Sequence, residues 1–141
     1  CGGVNDYRIY PNWIQVIENI DRNIIDTIPI VLVGSENGIE YSNQIINHFS
    51  NRGNLIDTVG KFTLTETKSI INSCELVVGP DGGILQLANA LDKKIIALFA
   101  QIDSRLRFTE ATEYKFLYDD KEVKNIKAKD ITNKILMVNM N

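Results

Sequence analysis

The sequence predicts an α/β protein: a parallel sheet covered by helices on both faces. Three observations carry this. Apolar runs without alternation, such as Ile95-Ile96-Ala97-Leu98-Phe99, are the mark of strands buried on both sides. Stretches with apolar residues at helical spacing lie between such runs, so strands and helices alternate. The run Leu76-Val77-Val78 stops at Gly79-Pro80-Asp81-Gly82-Gly83, and a helical pattern begins at once, with Ile84, Leu85, Leu87, Ala88 and Leu91 on one face.

The elements follow in order. Gly2 to Asp6 is a loop by composition, and Pro11 suits the first position of a helix over 11–22 that turns Trp13, Val16, Ile17 and Ile20 inward. Ile28 to Val33 reads as a buried strand interrupted only by Pro29, and 34–38 as a turn. A helix over 39–51 presents Ile45, Ile46 and Phe49, with Gly53 as its C-cap. Leu55-Ile56-Asp57 is a short strand, and Val59 to Phe62 a loop. Thr63 then caps the next helix, with Glu66 completing a capping box and Ser73 near its end. A strand over 75–79, the glycine turn, a helix over 83–91 and a strand over 95–99 complete the centre. A polar loop over 100–112 holds Asp103, Ser104, Arg105 and Arg107. An edge strand over 114–118 precedes a turn at 119–121 and a terminal helix over 128–138, with Ile131, Ile135, Leu136 and Val138 facing inward.

The chain has 141 residues, the length of one domain, so 1–141 is read as a single unit. A domain of that size buries roughly 68–70% of the surface its unfolded chain exposes and needs no covalent staple. A net charge of −3 argues against broad nucleic-acid binding, which shows a basic face. No apolar run reaches the roughly 18 residues of a membrane span. No secretory signal is visible, and the two cysteines, Cys1 and Cys74, lack a paired spacing, so a cytoplasmic protein is expected. The opening Cys1-Gly2-Gly3 lacks a methionine and reads as a fragment of something longer.

Strand, glycine turn and helix in succession aim backbone N–H groups at an anion, and in an open α/β sheet that turn lies at the carboxyl end of a strand, where ligands bind. Gly82 and Gly83 admit two readings: left-handed backbone angles that glycine adopts freely, or close approach of a ligand. Asp81 stands beside them. Lys61 and Phe62, after the strand at 55–57, and Glu36, in the turn after 28–33, are expected at the same sheet edge. Arg8, beside the Gly2-Gly3 loop, suits a phosphate clamp, and Arg105 and Arg107 form a second cationic loop. His48 is the one histidine, which argues against zinc and against a Ser/His/Asp nucleophile. A GxxxxGK[ST] loop and a GxGxxG fingerprint are both missing.

The segment from Thr58-Val-Gly-Lys-Phe-Thr-Leu-Thr-Glu through Val78-Gly-Pro-Asp-Gly-Gly-Ile-Leu-Gln-Leu-Ala-Asn-Ala-Leu91 to Ile95-Ile-Ala-Leu-Phe99 resembles the C-terminal half of glycosyltransferase family 9. These are the heptosyltransferases of lipopolysaccharide biosynthesis, which use ADP-heptose. Arg8-Ile9-Tyr10-Pro11 is similar to the Lys-x-Trp-Pro that opens this half, and the resemblance covers roughly 2–108. It implies a Rossmann-like domain, the donor-binding half of a two-domain GT-B fold whose N-terminal domain binds a glycan or lipid-linked acceptor and supplies the catalytic carboxylate. No catalytic residue is then expected in this chain. By position, Asp81 would contact donor sugar hydroxyls, and Gly82 and Gly83 would give N–H groups to the diphosphate. Arg8 would neutralise phosphate, Glu36 would lie near the ribose, and Phe62, next to Lys61, would border the base of an ADP-linked sugar. No metal cofactor is implied. The chain departs from the family pattern at Gln86, which stands where the family has His, at Gly82, which replaces a hydroxyl residue, and at Ala100, which replaces a glycine. The resemblance therefore admits an active transferase, a non-catalytic binding or scaffolding module of the same fold, or an epimerase-type GT-B enzyme.

Overall fold

The computed structural model describes residues 9–20, 26–101 and 114–139. Among the described residues, strands and helices alternate up to β4, which β5 follows: α1 (Trp13–Glu18), β1 (Ile30–Leu32), α2 (Ile39–His48), β2 (Leu55–Asp57), α3 (Leu64–Ser73), β3 (Leu76–Pro80), α4 (Gly83–Ala90), β4 (Lys94–Ala100), β5 (Tyr114–Asp119) and α5 (Ala128–Asn139). One-turn 3₁₀ helices occupy Glu36–Gly38 and Val123–Asn125.

All described pairings are parallel, as the unalternated apolar runs require, but they form two ladders: β1 with β2, and β3-β4-β5 in that order. β4 is the spine. Ile95, Ala97 and Phe99 pack on one face with Ile71 of α3 and Leu85 and Ala88 of α4. Leu98 and Ala100 point to the other face, toward Tyr10, Val16 of α1 and Ile131 of α5. Side chains alternate along a strand, so the apolar run Ile95–Ala100 of β4 serves two helical layers at once.

A third cluster joins Leu32, Ile45, Phe49 and Val59 to Ile17. α1 thus ties the two ladders together, with Val16 in one core, Ile17 in the other and Trp13 against both. Tyr10 anchors this junction. Its ring meets Trp13 edge-on at 4.9 Å, and its hydroxyl donates to the Ile126 carbonyl at 3.0 Å. Burial pushes the phenol up to about 12. Thr132 of α5 places Oγ1 3.0 Å from the Val16 carbonyl and 3.1 Å from that of Ala128. At the surface, His48 Nε2 and Glu18 Oε1 meet at 2.6 Å, so the single histidine joins α2 to α1.

Several sequence expectations need correction. α1 starts at Trp13 rather than Pro11 and ends at Glu18 among the described residues. β1 is three residues, beginning after Pro29, which has no N–H to place in a ladder. α2 stops at His48 with Phe49 as its C-cap, so Gly53 does not cap it. Leu136 and Val138 of α5 are only half-buried, while Val123 and Ile126, from a stretch given no element, are core residues. The capping box is present as expected: Glu66 N donates to Thr63 Oγ1 at 3.2 Å, and Thr63 N donates to Glu66 Oε1 at 3.0 Å.

Candidate functional site

β3 ends at Pro80, and the next N–H, that of Asp81, donates to the Leu98 carbonyl at 3.0 Å. The corner after β3 is therefore fixed to β4. The Asp81 side chain lies within it, 6% exposed. Gly82 is the N-cap of α4 and has no side chain to offer as a cap. Gln86 N donates back to the Gly82 carbonyl at 3.0 Å, which is the first turn of the helix. The N–H groups of Gly83, Ile84 and Leu85 precede that bond and have no acceptor within the helix. The first turn carries no acidic residue, so the positive end of the helix dipole is not offset there by a side chain of its own turn.

The two glycines are not explained by backbone strain. Gly82 is extended, with φ 166° and ψ −171°, and Gly83 is the first residue of α4. The expectation of left-handed angles at this turn is thus overturned. Nor does packing among the described residues require them, since a Cβ at either position would meet none of their atoms within 4 Å. Among the described residues, the space in front of the helix mouth is open. Gln86 sits one turn into α4, and its Nε2 lies 3.5 Å from Asp81 Oδ1, so its amide faces the carboxylate.

A second group forms at the carboxyl ends of β1 and β2. Thr58 donates twice to the Leu32 carbonyl, from its N–H at 3.0 Å and its hydroxyl at 2.7 Å, and Gly60 N donates to the Gly34 carbonyl at 2.9 Å. These bonds zip together the two loops that carry Glu36 and Phe62. Gly60 holds a left-handed φ of 68°, and a Cβ there would meet Ile39 Cδ1 at 2.9 Å and Glu36 Cα at 3.3 Å. Ile39 at this contact, and Phe62 (47% exposed) and Leu64 (76% exposed) just after it in the chain, are exposed apolar side chains, and Glu36 is exposed too. Lys61 is engaged with Asp57: Nζ lies 3.1 Å from its carbonyl and 3.4 Å from Oδ2.

The structure thus brings Asp81, Gly82, Gly83 and Gln86 together in one corner, and Glu36, Lys61 and Phe62 in another, on separate ladders. Arg8, Arg105 and Arg107 lie outside the described residues. The sequence reading missed the closure of the β4 and β5 ends. Gln101 follows β4 with a left-handed φ of 66°, and its Nε2 donates to the Lys121 carbonyl at 2.8 Å. Asp119 Oδ1 accepts from Glu122 N at 3.0 Å, Lys121 N at 2.9 Å and Asn125 Nδ2 at 3.2 Å, and these bonds hold its carboxyl below the usual range. Asp119 at a strand end before polar residues was a readable turn signal; Gln101 gave none. Cys74 is a half-buried free thiol whose Sγ donates to the Ile70 carbonyl at 3.3 Å, and burial pushes it up. Among the described residues, no three His, Cys, Asp or Glu side chains are placed to hold a metal, and no helix is long and apolar enough to cross a membrane.

Parallel strands flanked by helices, with an uncapped helix mouth at a strand's carboxyl end, define a Rossmann-like α/β domain. The solved structure of Escherichia coli ADP-heptose LPS heptosyltransferase II is similar to it, with a TM-score of 0.74 at 18% identity over 100% of this chain and 46% of that one. A family 9 glycosyl transferase from Veillonella parvula DSM 2008 is similar with a TM-score of 0.77 at 17% identity, over 98% of this chain and 44% of that one. The chain therefore spans just under half the length of either structure. No curated protein is a significant sequence match. The sequence profile of glycosyltransferase family 9 (heptosyltransferase) matches residues 8–134, and the chain belongs to that family.

Proposed function

We propose that this domain holds the nucleoside diphosphate of an activated sugar, ADP-linked by preference, for transfer to a glycan or lipid-linked acceptor in the cytoplasm. The observation that carries the reading is the open mouth of α4 beside the buried Asp81, in a chain of this family. As the bond from the anomeric carbon to the diphosphate oxygen breaks, negative charge collects on the departing diphosphate. Oriented N–H groups stabilise that charge without reorganising. In this reading Gly82 and Gly83 let the diphosphate approach the backbone, and its charge is met by those amides and by Arg8 rather than by a metal. Asp81 accepts from sugar hydroxyls. The Ile39–Phe62–Leu64 surface borders the base, with Glu36 toward the ribose and Lys61 at the rim. The acceptor hydroxyl attacks the anomeric carbon and gives its proton to a carboxylate on a second domain, so this chain alone is inactive.

Calorimetry with ADP-, UDP- and GDP-sugars tests the reading. Saturable binding that Asp81→Ala abolishes, with the fold retained by circular dichroism, supports it. Failure of every nucleotide sugar to bind the wild-type chain overturns it. Gln86 and Gly82 favour a second reading, a non-catalytic binding module. Donor binding without transfer, once the chain is paired with an acceptor domain, would select it.

A further inference from the structure

Gln86 is positioned to act on Asp81 rather than on a phosphate. Its backbone N–H is already used on the Gly82 carbonyl at 3.0 Å, and side chains on a helix lean toward the N-terminus, which brings its amide back over the mouth of α4. There Nε2 lies 3.5 Å from Oδ1 of a carboxylate that is 6% exposed and whose own N–H is fixed to β4. A carboxylate only accepts, so the amide atom facing it is the nitrogen. The amide oxygen, itself only an acceptor, makes no bond to that carboxylate.

We infer that Gln86 is a positioning residue, which sets the rotamer of the Asp81 carboxylate and presents its own Oε1 as a second acceptor for ligand hydroxyls. Rested on the donor reading above, this makes the Asp81–Gln86 pair a neutral-plus-acidic acceptor couple that selects the polyhydroxylated part of the ligand. The diphosphate is left to the backbone. The amide adds no charge, whereas two carboxylates in its place would repel each other.

The test has a ligand-free arm and a ligand arm. In the ligand-free chain, the Gln86 side-chain ¹H–¹⁵N signals are followed from pH 7 to 3. They are expected to move with the Asp81 carboxyl carbon, and Asp81→Asn is expected to remove that movement. Gln86 signals that ignore Asp81 overturn the inference whether or not any nucleotide binds. In the ligand arm, Gln86→Ala is expected to weaken ADP-glucose about tenfold and ADP by less than twofold, the loss of one hydrogen-bonded acceptor. Gln86→Glu is expected to bind ADP-glucose poorly at pH 8 and to recover as pH falls to 5, while the wild type changes little. Equal loss of ADP and ADP-glucose in Gln86→Ala, or a flat pH profile in Gln86→Glu, overturns the inference. A wild-type chain that binds neither probe overturns the donor reading instead, and the ligand-free arm still decides the pair.

Discussion

Replacing Gly83 with alanine should make the protein more stable and a worse binder, two effects that packing alone would not couple. Gly83 is the first residue of α4 and already helical, and among the described residues a Cβ there meets nothing within 4 Å. Alanine is favoured over glycine by about 0.8–1.0 kcal/mol in a helix interior. At a first position part of that is realised, about 0.5 kcal/mol, and no steric cost offsets it. For a domain of this size about 1 kcal/mol moves Tm by roughly 3–5 °C, so thermal unfolding should shift up by about 2 °C. The same methyl group would stand in the space where a diphosphate must reach the N–H groups, and calorimetry should show affinity for an ADP-sugar falling at least about tenfold. Gly53→Ala is the control, because Gly53 is equally open but lies at the far end of β2, before Leu55. It should leave affinity unchanged. A fall in Tm for Gly83→Ala would show the corner to be filled. A rise in Tm with full affinity would show that no ligand approaches this backbone.

Gly60→Ala should cost about 1–3 kcal/mol in urea unfolding, since alanine must take a left-handed φ and press on Ile39 and the Glu36 backbone; a change below about 0.5 kcal/mol contradicts the packing described. Tyr10 should titrate at about 12 in the folded protein by ultraviolet absorbance. Its folded value is raised, so its contribution is complete below pH 10 and is lost as pH rises toward 12; a phenol that titrates at 10 in the native state, or Tyr10→Phe with no altered alkaline stability, contradicts this. Thr63→Ala should cost about 1 kcal/mol through the lost cap. The Thr63 N–H, then its hydroxyl, hold Glu66 below its ordinary value of 4.5, so the Glu66 contribution is present above 4.5 and lost as pH falls through the lower folded value. Glu66→Gln should lack that acid-side loss in urea melts at pH 7 and 3, and parallel behaviour of the two proteins refutes it.

Features fixed by neighbours in the chain were the ones sequence reading located well. The Thr63–Glu66 capping box depends on four consecutive residues, and β4 declares itself because Ile95 to Phe99 have to be apolar on both faces. Features fixed by distant partners were lost. Gly60 is needed because Ile39 and Glu36 lie over it, Gln101 holds an unfavourable φ because Lys121 receives its side chain, and Tyr10 matters because the Ile126 carbonyl accepts a hydrogen bond from its hydroxyl. The candidate site divides in the same way. The succession Asp81-Gly82-Gly83 marked the corner, but the glycines admitted either a left-handed turn or close approach of a ligand, and the structure shows extended backbone at Gly82 and, among the described residues, open space. Gln86 read only as a departure from the family's His. Its side chain leans back onto Asp81.

The N–H groups of Gly83, Ile84 and Leu85 are the proposed seat of the diphosphate, and their amide resonances report on it directly during titration with an ADP-sugar. Saturable downfield shifts that are largest at those three residues, and absent when the titrant is adenosine without phosphate, are the expected result. Amides that stay in place while the ligand binds elsewhere, or a chain that binds no nucleotide sugar, would contradict the account.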